Sequence, residues 1–188
     1  MDTIEVIRYQ VRRSYDWLAV TVSDITDEVA NWQPGGLANS IAATYAHTFI
    51  SADEDFNQVY LGGEMVLKGE WARRAGLSEP PPFGEWGWGE WGRRMTMDWA
   101  AFQQYATAIR ATMGGILVGL AEEDLRRDID MTPFGIGIWK GLDLFLLHAH
   151  HPYIHGGEIA CLKGMQGKQG WPRPAGNPML APPELTHK

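Results

Sequence analysis

Leu144-Phe145-Leu146-Leu147-His148-Ala149-His150-His151-Pro152-Tyr153-Ile154-His155-Gly156-Gly157-Glu158-Ile159-Ala160-Cys161-Leu162 reads as a buried helix in which imidazoles stand where leucines belong. On a wheel of about 100° per residue, Leu144, Leu147, His148, His151, His155, Glu158 and Leu162 share an arc of about 100°. A stripe of that kind should face a core. Two imidazoles one turn apart on it, with a carboxylate a turn further on, are costly unless they have partners. A divalent ion is one partner that satisfies all of them.

Metal binding needs neutral imidazoles at fixed separation, and His at i and i+4 on a helix presents two nitrogens to one ion. His151 and His155 have that spacing. A third ligand must come from another helix, and outside the cluster the chain holds only His47 and the tail residue His187. The stripe around His47 is polar for an interior helix, since Ser40, Thr44, Ser51, Glu54 and Gln58 lie within about 60° of it. That is how a helix facing a polar cavity reads. Three His with no fourth protein ligand leave positions open for water or substrate, which marks a catalytic rather than a structural site. Three imidazoles accept Zn, Ni, Co, Cu or Fe(II), with Zn and Ni the leading expectations.

The metalloprotease pattern is absent, because Pro152 rather than Glu follows His151. Pro152 leaves the carbonyl of His148 without its helical partner, so a kink that aims His151 inward is expected. His148 stays open as an alternative ligand to His151, and His150 lies off the stripe. Cys161 points away and reads as a small buried residue rather than a nucleophile. Glu54 and Glu158 are the candidate catalytic carboxylates, as general bases or as groups that orient the ligands.

Outward from this segment, apolar residues at helical spacing (Ile4, Ile7, Val11, Tyr15, Leu18, Val22) predict a first helix from Thr3 to about Val29. Trp32-Gln33-Pro34-Gly35-Gly36 stops it. Asn39 or Ser40 caps a second helix to about Tyr60, closed by Gly62-Gly63. The stretch from Glu64 to Arg94 reads as a long Trp/Gly/Pro-rich loop, with a short helix near Met65 to Ala75. Trp86, Trp88 and Trp91 spaced by glycine do not suggest a helix; they read as a plug on the bundle end, a lid or a dimer contact. A third helix spans Thr96 to about Leu120, with Trp99, Phe102, Tyr105, Ile109, Met113 and Leu117 inward. Leu125 to Ile138 suits a short hairpin, and the fourth helix runs from about Trp139 to Met165. The fold class is therefore all-α, a four-helix bundle over 1–166 with an irregular Pro/Gly-rich tail over 167–188.

A net charge of −7 with no long basic cluster argues against a nucleic-acid surface. One cysteine fits a reducing compartment, and no apolar run nears membrane-spanning length, so a cytoplasmic protein without a membrane partner is expected.

Two motifs together carry a resemblance. Trp32-Gln33-Pro34, Asn39-Ser40-Ile41-Ala42 and His47, followed late in the chain by His151-Pro152-Tyr153-Ile154-His155-Gly156-Gly157-Glu158-Ile159, resemble the DinB-like superfamily. That group includes damage-inducible DinB proteins, thiol-dependent transferases and maleylpyruvate isomerases, and the likeness runs through nearly the whole chain. It implies a bundle in up-down-down-up order, a homodimer, and a divalent metal held by His47, His151 and His155. The activity it implies is transfer or isomerisation of a small-molecule substrate with a low-molecular-weight thiol such as bacillithiol or mycothiol, or hydrolysis by a metal hydroxide. The alternative is a non-enzymatic, stress-linked dimeric bundle that binds metal or a ligand. The Trp86 to Trp91 loop and the tail lie outside the family pattern.

Overall fold

The chain begins with a reciprocal cap. Asp2 accepts from the amide of Glu5 at 2.8 Å and Glu5 accepts from the amide of Asp2 at 2.9 Å, opening α1 (Thr3–Thr21). The computed structural model describes residues 2–83 and 87–171. The rest of the tail expected from residue 167, His187 included, and Trp86 lie outside the described residues.

The inner face of α1 is the expected one, with Ile4, Ile7, Val11, Tyr15 and Leu18 all buried. The helix nevertheless stops well short of Val29. Thr26 caps a separate short helix, α2 (Asp27–Asn31), and the buried ammonium of Lys163 donates to the carbonyl of Thr21 at 2.8 Å and to Asp24 at 2.6 Å. A lysine from the far end of the chain thus satisfies a terminal carbonyl that would otherwise have continued the helix.

Ser40 caps α3 (Ile41–Asp53), which continues to Tyr60 as π-helical turns over Glu54–Tyr60. Asp53 stands at that change of pitch. Fully buried, it accepts from Asn57 Nδ2 (2.8 Å), Tyr105 Oη (2.8 Å) and the amides of Val66 (3.0 Å) and Leu67 (2.9 Å). The stretch near Met65 to Ala75 is a single 3₁₀ turn (Val66–Lys68) followed by turns, not the short helix expected.

The tryptophan-glycine segment corrects the expectation more sharply: α4 (Trp88–Arg94) is helical. Trp88 and Trp91 sit at i, i+3 and share a face. Glycine is required within it, since a Cβ on Gly92 would lie 2.8 Å from Asn39 Oδ1 and 2.9 Å from Ala43 Cβ. Close approach to α3 outweighs the low helix propensity of glycine. Asp98 caps α5 (Trp99–Gly119), and the six residues expected to face inward are all buried.

Next come α6 (Glu122–Arg126), and β1 (Asp128–Asp130) paired antiparallel with β2 (Ile138–Lys140), the expected short hairpin. The last helix, α7 (Gly141–Met165), starts against α6 so closely that a Cβ on Gly141 would overlap the carbonyl of Asp124. The long helices α1, α3, α5 and α7 pack around one core, with α7 against both α1 and α3 and α5 against α3. The architecture is mostly helical. No helix among the described residues is long and apolar enough to cross a membrane.

α7 runs unbroken through Pro152. The carbonyl of His148 that Pro152 leaves free lies 3.0 Å from the hydroxyl of Ser14, which is fully buried on α1 and also 2.9 Å from the carbonyl of Val11. Ser14→Ala should therefore cost about 1–3 kcal/mol, read as a lower urea midpoint at unchanged m-value, because it strands a buried carbonyl.

Candidate metal centre

Three imidazoles meet where α7 crosses α3. His151 and His155 project from successive turns of α7, and His47 faces them from α3. His151 Nε2 lies 3.3 Å from His47 Nε2 and 2.8 Å from His155 Nε2, and one nitrogen from each ring falls within 4.8 Å of the other two. The rings are steeply inclined to each other, at 77° to 88°, so they meet edge to face rather than stacked.

The outer nitrogens explain which atoms face the centre. His155 Nδ1 lies 2.7 Å from Glu158 Oε2, and a carboxylate there assigns the proton to Nδ1 and leaves the Nε2 lone pair pointing inward. Glu158, half-exposed, is held below the usual carboxylate range first by that hydrogen bond. His47 Nδ1 has a longer contact with Ser51 Oγ, 3.4 Å. His151 Nδ1 is buried and has no partner among the described residues, so the polar contacts of that ring run through Nε2 to the other two imidazoles.

Burial, and then the neighbouring imidazole His155, lower His47 to a pKa of about 4. The same causes in the same order lower His151 to about 2. Both rings are therefore neutral at physiological pH, the form that binds metal. Neutral imidazoles packed nitrogen to nitrogen leave more lone pairs than protons to share. A cation answers that deficit, and tetrahedral bonds of about 2.0–2.1 Å set neighbouring ligands about 3.3 Å apart. The donor set and spacing fit a divalent ion.

Two cavities flank the triad. One, of about 220 Å³, is lined by His47, His151, Ser51, Glu54 and Asp55 on its polar side and by Trp88, Met131, Phe134, Ile136, Trp139 and Leu147 elsewhere. The other, of about 200 Å³, is more polar and lined by Asn39, Ala43, Thr44, His47, Trp88, His155 and Glu158. Trp88 belongs to both and packs edge-on against His47, ring centroids 4.8 Å apart. Trp91 beside it is buried in the core.

The two candidate carboxylates therefore part company. Glu158 sits behind His155, whereas Glu54 lines the apolar cavity with its pKa raised by burial first and by Asp55 second. His148, left open as a ligand by its place on the wheel, is not at the centre. It is fully buried one turn earlier, with Nδ1 2.9 Å from Tyr15 Oη and Nε2 2.9 Å from Asp55 Oδ2. Those two partners hold its ring outside the triad, although it follows the same stripe. His150 is exposed. Cys161 is also exposed, contrary to the buried position expected. Sequence reasoning missed Asp55 and Tyr15. The available signal was His148 itself, since a buried imidazole needs a partner at each nitrogen.

With this geometry in view, the comparison with known families is decisive. The family model described as the DinB superfamily matches residues 10–159. The chain belongs to the DinB superfamily. A crystal structure described as a conserved protein of locus from Enterococcus faecalis superposes with a TM-score of 0.74 at 19% identity, covering 89% of this chain and 99% of that one. At that identity the likeness concerns the fold alone. No curated protein matches the chain.

Proposed function

We propose that this DinB-superfamily chain is a metal-dependent enzyme in which His47, His151 and His155 hold one divalent ion, Zn or Ni foremost, and a low-molecular-weight thiol is transferred to a small electrophile. The observation that carries this reading is the convergence of three Nε2 atoms at the junction of two cavities. An ion there would act as a Lewis acid and lower the pKa of a thiol or water reaching its open positions. Two cavities meeting at one centre suit two reactants. The apolar one offers room for a reactant's carbon body, and the polar one offers Asn39, Thr44 and Glu158 to a hydrophilic group.

In this reading Glu158 fixes the His155 ring. Glu54, its carboxyl disposed to keep a proton, is the acid–base candidate on the apolar side. The mutual packing of the four long helices supports the up-down-down-up bundle of the family, and a homodimer belongs to the same proposal.

Metal-loaded protein incubated with bacillithiol, mycothiol or glutathione and an electrophile such as chlorodinitrobenzene should consume thiol above the uncatalysed rate. That excess should vanish in a His47→Ala/His151→Ala/His155→Ala variant. Turnover equal to that of the variant across the panel would remove the transferase reading and favour a non-enzymatic metal-binding module.

A further inference from the structure

Beside the triad lies a hydrogen-bonded chain that metal binding does not require: Tyr15 Oη to His148 Nδ1 at 2.9 Å, and His148 Nε2 to Asp55 Oδ2 at 2.9 Å. The three residues come from three elements, α1, α7 and the π-helical turns after α3. Tyr15 and His148 are almost fully buried, while Asp55 reaches the apolar cavity that His47 and His151 also line.

The direction of the chain can be assigned. Among the described residues Tyr15 Oη has no acceptor other than His148 Nδ1, so the hydroxyl, which burial keeps protonated, donates to that nitrogen. His148 is then the tautomer whose Nε2–H donates to Asp55 Oδ2. Asp55 Oδ1 is left for whatever enters the cavity. An aspartate fixed by a buried histidine, itself fixed by a buried tyrosine, gains a set orientation at considerable desolvation cost. Its neighbour Glu54, on the same cavity wall, has no comparable anchor among the described residues and is only half-buried.

We propose that Asp55 is the proton acceptor for a ligand with an apolar body and an S–H or O–H group that binds at the triad from the apolar cavity, with His148 and Tyr15 as positioning residues. The proton balance is simple. The ligand loses H⁺ from sulfur or oxygen and keeps the electron pair for the centre, and Asp55 Oδ1 gains the proton as its carboxylate becomes a carboxylic acid. The assignment rests on the metal reading of His47, His151 and His155, and it extends that reading by naming the group that takes the proton.

The probe is benzyl mercaptan, added to cobalt-substituted protein and followed by the near-ultraviolet charge-transfer band of a thiolate on cobalt. Proton release is measured calorimetrically in buffers of different ionisation enthalpy. In the wild type the proton stays on the protein, and release to buffer should be near zero. Asp55→Asn can neither accept nor relay it, so about one proton per bound thiol should appear in the buffer and affinity should become steeply pH-dependent. In Glu54→Gln the bound thiol's proton should still stay on the protein, whatever that change does to turnover. Tyr15→Phe, the mildest change, should weaken thiol binding severalfold while cobalt still binds, which covers the case of an Asp55→Asn chain that fails to fold.

Equal proton release by wild type and Asp55→Asn, with the band present in both, overturns the assignment and leaves the metal centre standing. Full release in the Glu54→Gln variant alone transfers the role to Glu54. Cobalt that binds but shows no band with benzyl mercaptan removes the ligand class. Failure of the wild type to bind cobalt removes both this inference and the metal reading beneath it.

Discussion

Protein purified without a histidine tag should carry about one divalent ion per chain, measured by mass spectrometry, and His151→Ala should abolish it. His151 has the largest expected effect because its Nε2 contacts both other ligands and its Nδ1 has no competing partner among the described residues. Loss of a ligand should exceed the roughly 10–100-fold that an orienting partner is worth, and that lesser range is the expectation for Glu158→Gln, which weakens the hold on His155 Nδ1. At metal near a hundred times the dissociation constant, binding adds about 2.7 kcal/mol of stability, visible as a higher melting temperature in the wild type and none in the variant.

Acid should reverse the effect. The metal-free fold holds His47 and His151 at pKa values of about 4 and about 2, below the unfolded value of about 6.5. The unfolded chain therefore binds more protons, and stability present above about pH 6.5 is lost as the pH falls through that range. Absence of metal from wild type even after soaking with Zn or Ni would refute the centre.

Asp53→Ala should be the most damaging single change away from the histidines, costing about 3–5 kcal/mol by denaturant unfolding. It removes the common acceptor of Asn57, Tyr105 and the amides of Val66 and Leu67, and leaves three buried donors and one half-buried donor without one. Burial, and then the Asp53 charge, already raise the Tyr105 hydroxyl well above its ordinary range, so that proton has nowhere else to go. Asp53→Asn keeps the shape and one acceptor and should cost markedly less. Because Asp53 directly precedes the turns that carry Glu54 and Asp55, the alanine variant should also loosen the apolar cavity. A loss below about 1 kcal/mol would mean that the network contributes little.

Much of the site was legible because helical periodicity is a local property. His151 and His155 at i, i+4 on an otherwise apolar stripe, and His47 on a polar one, already implied imidazoles converging across two helices. The inward faces of α1 and α5 followed from the same spacing, residue for residue. The family motifs lay in the same segments. The sequence by itself thus determined a helical chain with three histidines directed at one place.

Tertiary structure decided what depends on contacts distant in sequence. Lys163 ends α1 from more than a hundred residues away, and α3 accepts Trp88 and Trp91 as a helix because Gly92 lets the backbones close. His148 shares the stripe of the ligands, and no wheel separates it from them. Only the positions of Tyr15 and Asp55, on two other elements, take both its nitrogens and remove it from the triad. Periodicity assigns a side chain to a face. Its partners are set by which faces pack together, and burial makes those partnerships binding, because an unpaired polar atom in the core costs more than the local pattern can recover.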